Sequence, residues 1–195
     1  KKIKNELMFS EFLSIIVKSI KLDKSLYKDN KNFGEASIYY ALLIILISAI
    51  ISIVPNSSFL NYMNLKFDLG PIKGPSLKAI IISSFIAWVI KTSYLYFVGV
   101  ILFPNKKTNC NFRKIIILVA FAQSPMLLNF VVFNQALLFF IFVSYAWYNI
   151  SLIIGLNIIL NYNNYIKTTL ISLAPQIIIL IYFVSLFQGQ PGIAS

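Results

Sequence analysis

The chain has 195 residues, 58% of them hydrophobic and only 12% charged, and its formal net charge is +11. Soluble domains average about 45–50% apolar and about 25% charged residues; here the excess is gathered into long, nearly uncharged blocks, which read as transmembrane helices. With no histidine, one cysteine (Cys110) and six acids that all fall outside the apolar blocks, imidazole triads, imidazole metal sites, internal disulfides and carboxylate proton relays are excluded, and neither an enzyme nor a cofactor or metal is expected.

The first predicted element is a helix within "NELMFSEFLSIIVKSIKLDK". At 100° per residue, Phe9, Phe12, Leu13, Ile15, Ile16, Val17 and Ile20 share a broad face, and Ser10, Glu11, Ser14, Lys18 and Lys21 form a narrow polar wedge opposite. It is too short and one-sided to span, and it lacks the apolar core and cleavage site of a signal peptide. It is expected to lie on the cytoplasmic leaflet as an interfacial helix, within a cytoplasmic region covering residues 1–35. Packing on cytoplasmic loops is the alternative.

Five spans follow. They cover about Ala36–Val54, Leu77–Phe103, Phe112–Phe133, Gln135–Leu160 and Ile166–Phe187, before a tail at 188–195. Spans three and four are separated by "FNQ" alone, which demands a tight hairpin or a re-entrant segment. The expected fold is all-α: a polytopic bundle of five transmembrane helices over 36–187, preceded by the amphipathic helix. "DLGPIKGP" at 68–75 reads as a turn-rich external loop.

Basic residues set the orientation. Eight lysines precede the first span; Lys106, Lys107, Arg113 and Lys114 flank the link between spans two and three; Lys167 sits between four and five. The opposite side carries Lys66, Lys73 and Lys78. The amino terminus is therefore expected in the cytoplasm and the carboxyl terminus outside or in a lumen. The positive charge reads as topology and attraction to anionic lipid headgroups, with no nucleic-acid partner.

Lys91 stands inside span two, 13 residues after Lys78, about 20 Å along the helix. Facing lipid there costs ~2.5–3.5 kcal/mol or more, so its side chain should face protein, a watery crevice or a headgroup. Ser84, Trp88 and Tyr94 share its face of the helix. Three readings stay open. The ammonium is satisfied locally, by cation–π contact with Trp88 or Tyr94 and by Gln123, Ser124, Asn129, Asn149 or Asn157; or it binds the phosphate or other acidic group of a lipid; or it meets an acidic or polar residue of a partner membrane protein. No acid within the spans neutralises it.

Gln123 and Ser124 precede Pro125, where they are expected to re-satisfy a carbonyl freed by a kink, and Gln176 is expected to do the same beside Pro175. Asn149 and Asn157 lie on one face of span four as expected interhelical anchors. Tyr39, Tyr40, Tyr62, Tyr162 and Tyr165, near the span ends, fit interfacial belts.

"YLYFVGVILFPNKKTNCNFRKIIILVAFAQSPMLLNF" resembles the central segment of the Yip family, the Ypt/Rab-interacting membrane proteins. Gly99, Phe103, Phe112, Arg113, Phe121, Ala122 and Pro125 fit its turn, Phe-Arg and aromatic-Ala-x-x-Pro pattern. "WYNISLIIGLNIILNYNNYIKTTLISLAP" is similar to the family's last hairpin, with Trp147, Gly155 and Lys167 in place, although the histidine common in that link is missing. The resemblance implies five spans with a cytoplasmic amino terminus. The Asp-Leu-Tyr-Gly-Pro motif through which eukaryotic members meet Rab GTPases is absent before the first span, which implies a prokaryotic-like member in a plasma membrane. Such relatives often accompany ABC exporters. Lys1 in place of Met suggests residues upstream.

Two functions are therefore weighed. One is a non-enzymatic accessory or scaffold that binds other membrane proteins, an ABC-type export complex among them, or its own copies. The alternative is a small transporter, channel or lipid-handling protein using Lys91 to bind an anion or headgroup.

Overall fold

The computed structural model describes residues 2–53, 57, 65, 74–105, 108, 110–132 and 138–188. Helix α1 (Lys2–Ile20) leads through the short α2 (Ser25–Lys28) and a 3-10 turn (Asn30–Phe33) into α3 (Glu35–Ile51). Helix α4 (Leu77–Tyr96) runs on into a π-helical turn (Phe97–Leu102); α5 (Phe112–Ala122) is followed by a 3-10 segment (Ser124–Val131); α6 (Phe139–Ile159) and α7 (Tyr165–Gln188) complete the chain. Among the described residues there is no strand. The external loop over 66–73, the "FNQ" link, Tyr62 and the tail at 189–195 lie outside the described residues.

Side-chain caps mark several starts, because the first N–H groups of a helix have no intrahelical acceptor. Ser76 accepts from the Ala79 N–H (3.2 Å), Asn111 from Lys114 (3.0 Å) and Asn164 from Lys167 (3.1 Å). At the far end of α6, Asn161 turns left-handed (φ 52°), and the Tyr162 N–H reaches back to the Asn157 carbonyl at 3.2 Å. Asparagine tolerates that conformation better than most residues.

Three segments are long and apolar enough to cross a membrane: Leu77–Leu102, Phe112–Val131 and Phe139–Ile159. Helix α3 is a shorter apolar helix of 17 residues, and α7 has 24, with Pro175 inside it. Outward faces are apolar throughout: Ile86, Ile90, Phe97, Phe130, Phe142, Ile150, Leu170 and Ile178 are all about half or more exposed. Such a surface is intolerable in water and ordinary in lipid.

Helix α5 is the centre. It packs on α3, α4 and α6, and every residue from Ile117 to Ala122 is fully buried. Close approach around it depends on small residues, as between membrane helices generally. A Cβ on Gly155 of α6 would lie 2.2 Å from Leu118 Cδ1 and 3.1 Å from the Tyr27 ring. Span three is not the kinked α-helix expected at Pro125. The α-helix ends at Ala122, and Pro125 sits in the first turn of the 3-10 segment, where its missing N–H removes no bond. Ser124 repairs no backbone group: its Oγ is buried without a hydrogen-bond partner among the described residues.

The apolar face of α1 divides in two. Ile15 and Ser19 are buried, with Phe12 and Ile16 packed beside them, while Phe9, Leu13 and Val17 are exposed at 63%, 43% and 46%. Ser19 Oγ donates to the Phe121 carbonyl (2.6 Å), Tyr27 Oη pairs with Ser151 Oγ (2.6 Å), and Trp147 Nε1 donates to the Ile20 carbonyl (2.9 Å). The end of α1 thus docks beside the last turn of α5 and the middle of α6, and Phe9, Leu13 and Val17 form an outward apolar stripe beside exposed Lys21. Two of the tyrosines read as belt residues are instead buried: Tyr40 donates to Glu11 (2.9 Å), and Tyr162 to the carbonyls of Gly99 (2.5 Å) and Phe103 (2.8 Å).

Overpacking a filled core costs about 1–3 kcal/mol. Gly155→Ala should therefore lower the thermal unfolding temperature in detergent. An unchanged temperature would mean that α2 and α5 do not meet α6 at this glycine.

Candidate functional site

The polar face of α4 follows from its spacing. Trp88, Thr92 and Leu95 are buried, Ser84 and Lys91 are half-buried, and Ile82, Ile86, Val89 and Ile90 face outward. Lys91 therefore points along the α5–α6 side of the bundle. It lines a cavity of about 620 Å³, together with Ser84, Trp88, Tyr94, Gln123 and Met126, and with Tyr145, Tyr148, Pro175 and Gln176 opposite. That volume lies within the roughly 300–1,000 Å³ range of small-molecule sites.

The Lys91 ammonium lies 4.4 Å from the centroid of the Tyr148 ring. The sequence pointed to Trp88 or Tyr94 for this contact. Trp88 is occupied otherwise: its indole N–H donates to the Ile116 carbonyl at 3.0 Å, and its ring meets Phe85 edge-on. Tyr94 lines the cavity wall. Tyr148 was missed because it lies 57 positions away on another helix, where only the fold makes it a neighbour.

The proposed polar helpers scatter. Gln123 reaches the cavity. Asn149 supports its wall, accepting from Gln176 Nε2 (3.0 Å) and donating to the Tyr145 carbonyl (2.9 Å), so Gln176 ties α7 to α6 rather than repairing the backbone at Pro175. Asn129 accepts from Ser144 (2.5 Å), and Asn157 accepts from Thr168 and from the Asn164 N–H (both 3.1 Å). These two stitch other parts of the bundle.

Charge balance is what singles out this cavity. Among the described residues the Lys91 ammonium has no ion pair and no hydrogen bond. The acids whose side chains are described are engaged or exposed elsewhere: Glu11 with Tyr40, Asp23 with the Ser25 N–H, Asp29 with the Lys31 N–H, and Glu35 in the exposed first turn of α3. A desolvated cation–π contact returns about 2 kcal/mol, whereas taking an ammonium out of water costs several kcal/mol. The tyrosine alone does not close that gap. An acidic group or water inside the cavity would. No cluster of potential metal ligands exists among the described residues.

Lys167 stands at the end of the bundle that gathers Phe103, Asn105, Thr108 and the turn after α6. Its ammonium lies over Tyr162 (4.1 Å) and donates to the Phe103 carbonyl (3.1 Å). Thr108 donates to the Leu160 carbonyl (2.8 Å), and the Asn105 side-chain amide donates to the Asn161 backbone carbonyl. Cys110 is half-buried in this assembly, and burial pushes its thiol up to about 12. At pH 8 the thiolate fraction is then lower than that of an ordinary thiol by roughly a thousandfold. Maleimide should modify Cys110 slowly in the folded protein, faster as pH rises, and at once after denaturation; equal rates in both states would contradict this packing.

No curated protein and no solved structure matches the chain. The family model of the Yip1 domain matches residues 24–187. That match runs from α2 through nearly all of α7, so this membrane protein belongs to the Yip1 domain family.

Proposed function

We propose that the chain is a non-enzymatic, multi-pass membrane protein that holds an acidic amphiphile, its head on Lys91 and its apolar part against the cavity walls. The single observation that carries this is the Lys91 ammonium, over Tyr148 in a largely apolar cavity, with no acid of the described chain beside it. Such a site selects by charge at one point and by apolar contact elsewhere, which is the chemistry of an anionic lipid or fatty acid.

Five crossings, with α3 and α7 as the first and last, fit the packing of successive segments against one another. Lys28, Lys31, Lys114 and Lys167 lie at one end and Lys78 at the other, which supports a cytoplasmic location for that end; the prokaryotic plasma membrane rests on the family resemblance alone. The end of α1 docks at Phe121, Trp147 and Ser151, away from that basic end, so the exposed stripe of Phe9, Leu13 and Val17 would face lipid along the bundle rather than lie flat on the cytoplasmic leaflet.

A second reading rests on the rim of the same cavity. Ile90 and Tyr145 are exposed at 63% and 43%, so an acidic side chain from an adjoining membrane protein could reach the lysine. That is the accessory role, alongside an ABC-type exporter, which the family resemblance implies.

Native mass spectrometry of protein extracted gently from its own membranes separates the two. The expected wild type carries an anionic lipid, and Lys91→Met loses it while unfolding at the same or a higher temperature. A stoichiometric protein partner lost on the same substitution would establish the accessory reading instead. A bare wild-type chain would contradict both.

A further inference from the structure

A second polar cavity, sharing no residue with the first, opens at the end of the bundle where α5 begins and α6 stops. Its volume is about 330 Å³, and Lys28, Asn30, Lys114 and Asn161 line it over a floor that includes Phe33 and Ile159. We propose that this cavity binds a phosphate group, carried either by a lipid headgroup or by a soluble phosphate compound.

The lining supplies two ammonium groups and two carboxamides, a set that matches the charge and the several acceptor oxygens of a phosphate. Three chain segments must fold together to assemble it: the α2–α3 connection, the first turn of α5 and the turn after α6. Lys114 Nζ donates to Asn30 Oδ1 at 3.3 Å, which draws the first two segments together. Asn161 is held by its left-handed backbone and by the bond its carbonyl accepts from Asn105.

The field at this mouth is positive by construction. Arg113 and Lys114 occupy the first turn of α5, where the helix dipole already disfavours cations, and no acid accompanies them there. The Arg113 Nε is buried without a hydrogen-bond partner among the described residues. The nearest acid in sequence, Asp29, does not line the cavity and caps the 3-10 turn through the Lys31 N–H at 2.9 Å. In a membrane, this end of the bundle sits at headgroup depth, where basic pockets between helices meet lipid phosphates.

The test is thermal unfolding of the full chain in an uncharged detergent at fixed ionic strength, titrated separately with glycerol 3-phosphate, short-chain phosphatidic acid and short-chain diacylglycerol, which has no phosphate. Phosphatidic acid or glycerol 3-phosphate should raise the unfolding temperature, and Lys28→Gln/Lys114→Gln should weaken the apparent Kd by about tenfold or more. Lys78→Gln, exposed at the opposite end, should leave it unchanged. A response to glycerol 3-phosphate assigns the site to soluble phosphates, and a response to phosphatidic acid alone assigns it to lipid; both support the proposal. Should the double variant fail to fold, exposed Lys28→Gln alone decides, with a several-fold loss expected. No response to either phosphate, an equal response to diacylglycerol, or a variant that binds like the wild type would overturn it.

Discussion

An ammonium group held inside an apolar bundle, with no carboxylate beside it among the described residues, is the constraint on which the rest of this molecule turns. Lys91 is half-buried on the inward side of a helix whose other side is built for lipid. Tyr148 covers it and offsets part of its lost hydration. The remainder has to come from something the described chain does not provide. A structural lysine would be expected to meet a carbonyl or a carboxylate; this one faces an open cavity of ligand size. Water or an anion in the cavity can supply that remainder, and an anion adds charge pairing that water does not.

The fold around it explains how such a cavity survives. Helix α5 is fully buried from Ile117 to Ala122, where its α-helical part stops just before Pro125 redirects the chain into the 3-10 segment. Gln123 and Met126 thereby turn towards α4. On the far wall, the bond between Gln176 and Asn149 fixes α7 against α6 beside Pro175. Polar contacts that could have collapsed onto Lys91 are used instead to hold the walls apart. Ser19, Tyr27 and Ser151 do the same work on the opposite side of α6, binding α1 and α2 to the bundle.

Composition and block length made the helical membrane class legible, and the spacing of Ser84, Trp88 and Lys91 identified the inward face of α4. What stayed hidden was every partner set by tertiary proximity. Tyr148 looks like any other aromatic in an apolar run, and Ser19, Tyr27 and Ser151 carry no periodic signal that separates a buried network from ordinary helix residues. Pro125 was ambiguous for a local reason: the same residue kinks a helix from within or opens a new segment from its first turn, and the sequence on either side is apolar in both cases. Tyr40 and Tyr162 sit at span ends, where lipid belts and buried caps draw on the same residue type.

The claim that Lys91 recruits an external anion because the described residues give it no internal one is tested most directly by supplying that internal acid. Gln123 lines the same cavity, so Gln123→Glu places a carboxylate within it. Ligand content by native mass spectrometry, measured with thermal stability on the same sample, should show the acidic amphiphile lost and the unfolding temperature raised. An acidic ligand retained at the wild-type level would contradict the account.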